Sequence, residues 1–176
     1  MDRFFVISGC SGGGKSTLLS ELKRQGYAVV EEPGRRIIAE ELNGSGRALP
    51  WVDLAAFAER AVEMSLRDRD RAKSMPGVVI FDRGLIDAAA ALEHATGKPA
   101  LKNYALERYN SRVFMTPPWP EIYANDHDRH HGLQEAIEEY QRLLAAFSFL
   151  GYATQVLPKV GVAERVEMVI EGMRSA

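Results

Sequence analysis

Five short stretches dense in branched and aromatic residues punctuate the chain, and amphipathic segments fill the intervals between them. The stretches are Arg3–Ser8, Tyr27–Glu31, Val78–Asp82, Arg112–Thr116 and Ala153–Leu157. Each is apolar without clean alternation, the pattern of a strand buried on both faces of a parallel sheet. Leu54, Phe57, Ala61 and Met64 recur at helical spacing behind Asp53, an N-capping residue type. Leu133, Ile137, Tyr140, Leu144 and Phe147 form a second stripe, and Val162, Val166, Val169 and Met173 a third. Asp87–Ala95 is rich in alanine and reads as helix. Strands alternating with helices predict an α/β fold, a parallel sheet with helices on both faces. No repeat or linker divides the 176 residues, so a single domain spanning 1–176 is expected. Ligands in such folds bind beyond the carboxyl ends of the strands, which makes the strand ends the places to look for chemistry.

The first strand end carries the most specific signal. Gly9-Cys10-Ser11-Gly12-Gly13-Gly14-Lys15-Ser16-Thr17 satisfies the pattern G-x-x-x-x-G-K-[ST] between an apolar strand and a helical segment. Gly9, Gly12, Gly13 and Gly14 let the backbone wrap so that its N–H groups face phosphate oxygens. The helix that opens around Thr17 adds the positive end of its dipole. Lys15 is expected to reach the β- and γ-phosphates of ATP, and the Ser16 hydroxyl to hold Mg²⁺. Cys10 lies inside this loop near a helix start, a setting that lowers a thiol pKa, although a passive role suits this variable position better.

The second strand ends in Glu31-Glu32-Pro33-Gly34-Arg35-Arg36. One of Glu31 and Glu32 is a candidate general base, and Arg35 or Arg36 a candidate contact for an acceptor anion. The third ends in Phe81-Asp82-Arg83-Gly84, the shape of a Walker B element. There Asp82 would hold Mg²⁺ and Arg83 would touch a phosphate or the acceptor. The fourth runs into Pro117-Pro118-Trp119-Pro120 and a polar stretch containing Arg129, so a lid is expected around 118–132 with Arg129 as a charge donor. His127, His130 and His131 lack a cysteine and the H-E-x-x-H arrangement, which favours a solvated loop over zinc. Arg67-Asp68-Arg69-Asp70-Arg71 reads as a solvated helix face. Arg108 and Arg112 either reach the phosphates or lie on the surface.

Bulk properties narrow the partners. The net charge of -2 gives no sign of nucleic-acid or membrane binding. The single cysteine, Cys10, precludes an internal disulfide and points to a reducing compartment. The apolar run after Arg3 is too short for a signal peptide, and none has the length of a membrane span. A cytoplasmic protein is expected.

These motifs together resemble the nucleoside and nucleotide kinase branch of P-loop proteins. The chain is similar over nearly its whole length to small predicted ATPases with a single NadR-like AAA domain. The residues that carry this likeness are Glu32-Pro33-Gly34-Arg35 (or the register ending at Arg36), Asp82-Arg83-Gly84 and Pro117-Pro118-Trp119-Pro120-Glu121-Ile122. The resemblance implies a three-layer P-loop NTPase fold with sheet order 2-3-1-4-5, binding of ATP and Mg²⁺, and phosphoryl transfer to a small hydroxylated acceptor. By analogy it makes the carboxylate after the second strand, Glu31 or Glu32, the general base and Arg83 an acceptor or phosphate contact, which join Lys15 and Arg129 as the candidate catalytic residues. Asp82 is followed by Arg83 rather than Glu, which argues against a ring-forming motor. Two other functions stay open. One is a regulatory switch that binds ATP or GTP, although no Asn-Lys-x-Asp or Thr-Lys-x-Asp motif is present. The other is simple ATP hydrolysis.

Overall fold

Pairing of the five apolar stretches builds the centre of the molecule. The computed structural model describes residues 2–123 and 132–176. In chain order the elements are β1 (Phe4–Gly9), α1 (Lys15–Arg24), β2 (Ala28–Val30), α2 (Pro33–Leu42), α3 (Leu54–Ala72), β3 (Val79–Asp82), α4 (Leu85–Thr96), β4 (Arg112–Thr116), α5 (Pro120–Tyr123), α6 (Leu133–Phe149), β5 (Ala153–Val156) and α7 (Val162–Arg174). A 3₁₀ turn, Leu101–Tyr104, lies between α4 and β4. Every predicted strand is present within a residue or so of its expected bounds.

All strand pairings are parallel, and the order is β2-β3-β1-β4-β5. Val6 lies beside Phe81 of β3 and Val113 of β4, which puts β1 at the centre. The strand period of two then sorts its side chains. Phe4 and Val6 enter a core with Ile37, Ala61, Leu85 and Phe147, contributed by α2, α3, α4 and α6. Phe5 and Ile7 enter the opposite core with Leu18, Leu22, Val166 and Val169 of α1 and α7. The sheet is thus the middle of three layers. Among the described residues no helix is long and apolar enough to cross a membrane.

Three sequence expectations need correction. β5 is not buried on both faces. It is an edge strand, and Val156 is 52 % exposed. The buried positions of α6 are Ala136, Leu143, Ala146 and Phe147, so its inward face is rotated from the predicted stripe and takes in position 139. The charged run on α3 is not a solvated face. Asp68 and Arg69 are buried, Asp68 paired with Arg36 and Arg69 stacked 4.5 Å from the Tyr109 ring centroid. Local spacing cannot show partners that lie more than 30 residues away. Asp53 caps α3 as expected, accepting the Ala56 N–H at 2.9 Å.

Candidate functional site

The glycine loop lies hard against the end of β4, which explains two of its glycines. Gly9 has φ +132°, and a Cβ there would stand 2.2 Å from the Thr116 carbonyl oxygen. A Cβ on Gly13 would stand 2.8 Å from Thr116 Oγ1 and 2.9 Å from the Pro117 carbonyl oxygen. Gly12 and Gly14 also have positive φ, and Gly14 is the N-cap from which α1 begins at Lys15. The first-turn N–H groups of α1 have no helical partners and gather where the loop closes, beside Ser16 and the exposed Thr17.

Around this loop the strand ends assemble a compact charge cluster. Lys15 is buried and donates to Asp82, at the end of β3, at 2.6 Å. Glu32, the N-cap of α2, lies 3.9 Å from Lys15 and 3.3 Å from Arg83 Nε. Pro33 occupies the first turn of α2, so Glu-Pro-Gly is the start of a helix. Arg35 donates to Glu32 at 3.0 Å and to Ser16 Oγ at 2.9 Å. Arg83 donates to Glu139 of α6 at 2.6 Å. A cleft of about 270 Å³ opens beside the cluster, lined among others by Ser16, Glu32, Arg35 and Asp82.

Arg83 has φ 59°, a left-handed conformation that costs a non-glycine residue of order 1–3 kcal/mol. Its N–H donates to the Ile7 carbonyl at 3.0 Å, and its side chain is held by two carboxylates. The fold therefore holds this guanidinium between Glu32 and Glu139 from a strained backbone.

Protonation follows from burial and neighbouring charge. Burial alone would raise the Glu32 pKa, but Lys15, Arg83 and Arg35 hold it down at about 2. Burial disfavours the charge on Arg83, yet Glu139, Glu32 and Asp87 outweigh it and raise its pKa. Asp87, in the first turn of α4, accepts from the Ser8 hydroxyl and from the Gly84 N–H at 2.9 Å. Its burial lifts the carboxyl to about 6. The Cys10 thiol is pushed up to about 11, chiefly by burial and then by Glu139. The depressed thiol pKa contemplated from the sequence is therefore reversed.

Not every candidate joins the cluster. Glu31 lies at the rim of the cleft and stays solvated, with its side chain 71 % exposed and 3.8 Å from Lys23. Arg36 lines the cleft but is tied back to Asp68 through two hydrogen bonds. Arg108 stacks 3.9 Å from the Tyr152 ring centroid, and Arg112 donates to the Gly172 carbonyl at 2.7 Å. Both brace the amino-terminal side of β4 and do not approach the glycine loop. Arg129, His127, His130, His131 and most of the expected lid lie outside the described residues.

Sequence reasoning missed Glu139, Asp87 and Arg165. Glu139 shares an inward helix face with Ala136 and Leu143, a signal the predicted stripe passed over. Asp87 stands three residues after Gly84, the N-cap of α4, at a position where an acidic side chain reaches back to the cap N–H.

The donor set suits the ligands that the motif implies. A serine hydroxyl and a carboxylate are hard oxygen donors of the kind Mg²⁺ takes, the remaining ligands coming from phosphates and water. Ser16 would exchange Arg35, and Asp82 would exchange Lys15, to hold such an ion.

A family model described as an AAA domain matches residues 4–165. Among solved structures the chain is similar to deoxyadenosine kinase from M. mycoides with bound dATP. The TM-score is 0.61 and the identity 18 %, covering 98 % of this chain and 99 % of that one. The same enzyme with the products dCMP and a flexible dCDP gives 0.62 and 14 %, covering 98 % and 100 %. With bound dCTP it gives 0.55 and 16 %, covering 98 % and 99 %. At these identities the likeness shows a shared fold. No curated protein matches the chain.

Proposed function

The chain belongs to the AAA domain family, and on that premise we propose that it transfers the γ-phosphoryl group of ATP to a hydroxyl of a small, nucleoside-like acceptor. One observation carries this reading. Glu32 is held between the loop lysine, Lys15, and Arg83 on the neighbouring strand end. A carboxylate there can accept a proton from a hydroxyl aligned with the γ-phosphate, while the arginine binds the acceptor or the phosphoryl group. The deoxyadenosine kinases that share the fold bind nucleotides, which supports an acceptor of that class.

In this scheme the acceptor oxygen attacks the γ-phosphorus, the bond from phosphorus to the β–γ bridging oxygen breaks, and ADP leaves. The acceptor proton passes to Glu32. Mg²⁺, held by Ser16 and Asp82, would neutralise charge on the β- and γ-phosphates. Lys15 would turn from Asp82 and Glu32 to the phosphates, which removes the main partner depressing the Glu32 pKa and makes it a better base. Arg35, exposed and tied to Ser16 and Glu32, would move to the acceptor side. Catalysis would rest on positioning and charge neutralisation. An arginine at position 83, where ring-forming motors carry a water-activating glutamate, favours transfer to an acceptor over hydrolysis.

The test is transfer of a labelled γ-phosphoryl group from ATP or GTP to a panel of nucleosides and other hydroxylated metabolites. A labelled phosphomonoester supports the reading. Nucleotide binding with no labelled product across the panel refutes it.

A further inference from the structure

Among the described residues, the arginines that are buried or largely enclosed come with carboxylates, with one exception. Arg69 has Glu107, and Arg83 has Glu32 and Glu139. Arg165 of α7 is 3 % exposed, and its Nη2 donates to the Gly13 carbonyl at 3.0 Å. Its guanidinium lies 5.9 Å from the Trp119 ring centroid. Its Nε is buried with no hydrogen-bond partner among the described residues. Burial is the one influence on its proton affinity, a lowering, with no opposing pull from a described carboxylate. A cation in this position is expensive, because a carbonyl and a ring face return only part of its lost hydration.

The contact falls in the middle of the glycine loop. A trans peptide points its C=O and N–H in opposite directions, so pinning the Gly13 carbonyl to Arg165 fixes the Gly14 N–H on the far side. A cation on the carbonyl also polarises that peptide and strengthens its N–H as a donor. Gly13 is held from the other side by Thr116 and Pro117, which leave no room for a Cβ. The peptide is thus clamped between α7 and the end of β4.

We propose that Arg165 is a positioning residue of the phosphate site, which sets the Gly13–Gly14 peptide to receive a polyphosphate and whose buried charge is offset when that polyphosphate binds. This rests on the nucleotide-binding part of the reading above. It has a consequence that a structural brace would not have. The charge opposes stability of the protein without nucleotide and favours the protein with it. Trp119, from the Pro-Pro-Trp-Pro segment, sets a half-buried ring beside the guanidinium, which adds apolar surface to its surroundings.

The experiment compares wild type with Arg165→Met and Arg165→Lys. It measures the thermal midpoint without nucleotide and the dissociation constants for ATP and for inorganic tripolyphosphate. Arg165→Met is expected to keep or raise the midpoint and to weaken both ligands by a similar factor, roughly tenfold or more. Arg165→Lys, which keeps the charge, is expected to recover part of that affinity. A lowered midpoint or failure of Arg165→Met to fold overturns the proposal, since the charge would then support the protein without ligand. Affinities within twofold of wild type overturn it as well. Loss of ATP but not tripolyphosphate affinity also overturns it, by moving the contact to the base or sugar. If wild type binds neither ligand, the nucleotide reading itself fails, and that result is distinct from the others.

Discussion

Replacing Asp87 with asparagine should remove a pH dependence of stability that the wild-type protein carries between about pH 4 and pH 6. Asp87 is buried in the first turn of α4, and its carboxyl is lifted from 3.8 to about 6 by burial, against the opposing pull of Arg83 and of its hydrogen bonds. A folded-state pKa above the unfolded value means that the protonated carboxyl favours the fold. Its contribution is fully present below 3.8 and is lost as the pH rises through 6. At about 1.4 kcal/mol for each tenfold change in proton affinity, that interval amounts to about 3 kcal/mol. The asparagine side chain has nearly the same shape. Its oxygen can accept the Gly84 N–H and its amide can face the Ser8 hydroxyl, so the two hydrogen-bonding positions stay filled. Urea unfolding of both proteins near pH 4 and near pH 8 reads the effect as a difference of differences, in which the opposite contribution of Glu32 cancels. Wild type should lose about 2.4 kcal/mol relative to the variant between the two conditions, somewhat less than the full interval because the unfolded carboxyl is already partly ionised near pH 4. A gap between the proteins that is the same at both pH values, within about 0.5 kcal/mol, would refute the reasoning.

Four further outcomes follow from the site and its supports. Glu32→Gln should lower kcat for phosphoryl transfer by about 10²–10⁴-fold and leave ATP affinity equal or higher, because one competitor for Lys15 is gone. Glu31→Gln should change neither by more than about twofold, since its side chain is solvated. Gly13→Ala drives a methyl group into Thr116 and Pro117, so calorimetry should show nucleotide binding lost while circular dichroism shows the fold retained. Arg69→Ala should destabilise the protein by about 3–5 kcal/mol in chemical unfolding without changing ATP affinity, because it strips the buried contacts to Tyr109 and the Arg108 carbonyl. A mild effect at Arg69 would restore the solvated-face reading of α3.

What was legible in the sequence had local causes. Strands buried on both faces must be apolar throughout, so β1, β3 and β4 announced themselves. A loop pressed against β4 at Gly9 and Gly13 admits no side chain, so its glycines were visible as a motif. The choice between Glu31 and Glu32 was not legible. It depends on the direction in which the chain leaves β2, and only in three dimensions does Glu32 turn toward Lys15 while Glu31 turns toward Lys23. Glu139, Arg165, Asp68 and Arg69 were hidden for a related reason. A charge on the inward face of a helix reads as solvated unless its partner is known, and those partners are Arg83, the Gly13 carbonyl, Arg36 and Tyr109, all distant in sequence. The misjudged phase of α6 comes from counting only large side chains, whereas two of its four buried positions are the small Ala136 and Ala146.

The central claim is that the glycine loop and the charges around it form a phosphoryl-transfer site. A crystal structure with a non-hydrolysable ATP analogue and Mg²⁺ tests it most directly. The account predicts Lys15 Nζ moved from Asp82 to the β- and γ-phosphates, the metal on Ser16 and Asp82, and Glu32 and Arg83 facing a second cavity beside the γ-phosphate. Nucleotide bound elsewhere, or bound in the loop with Lys15 still on Asp82 at 2.6 Å, would contradict it.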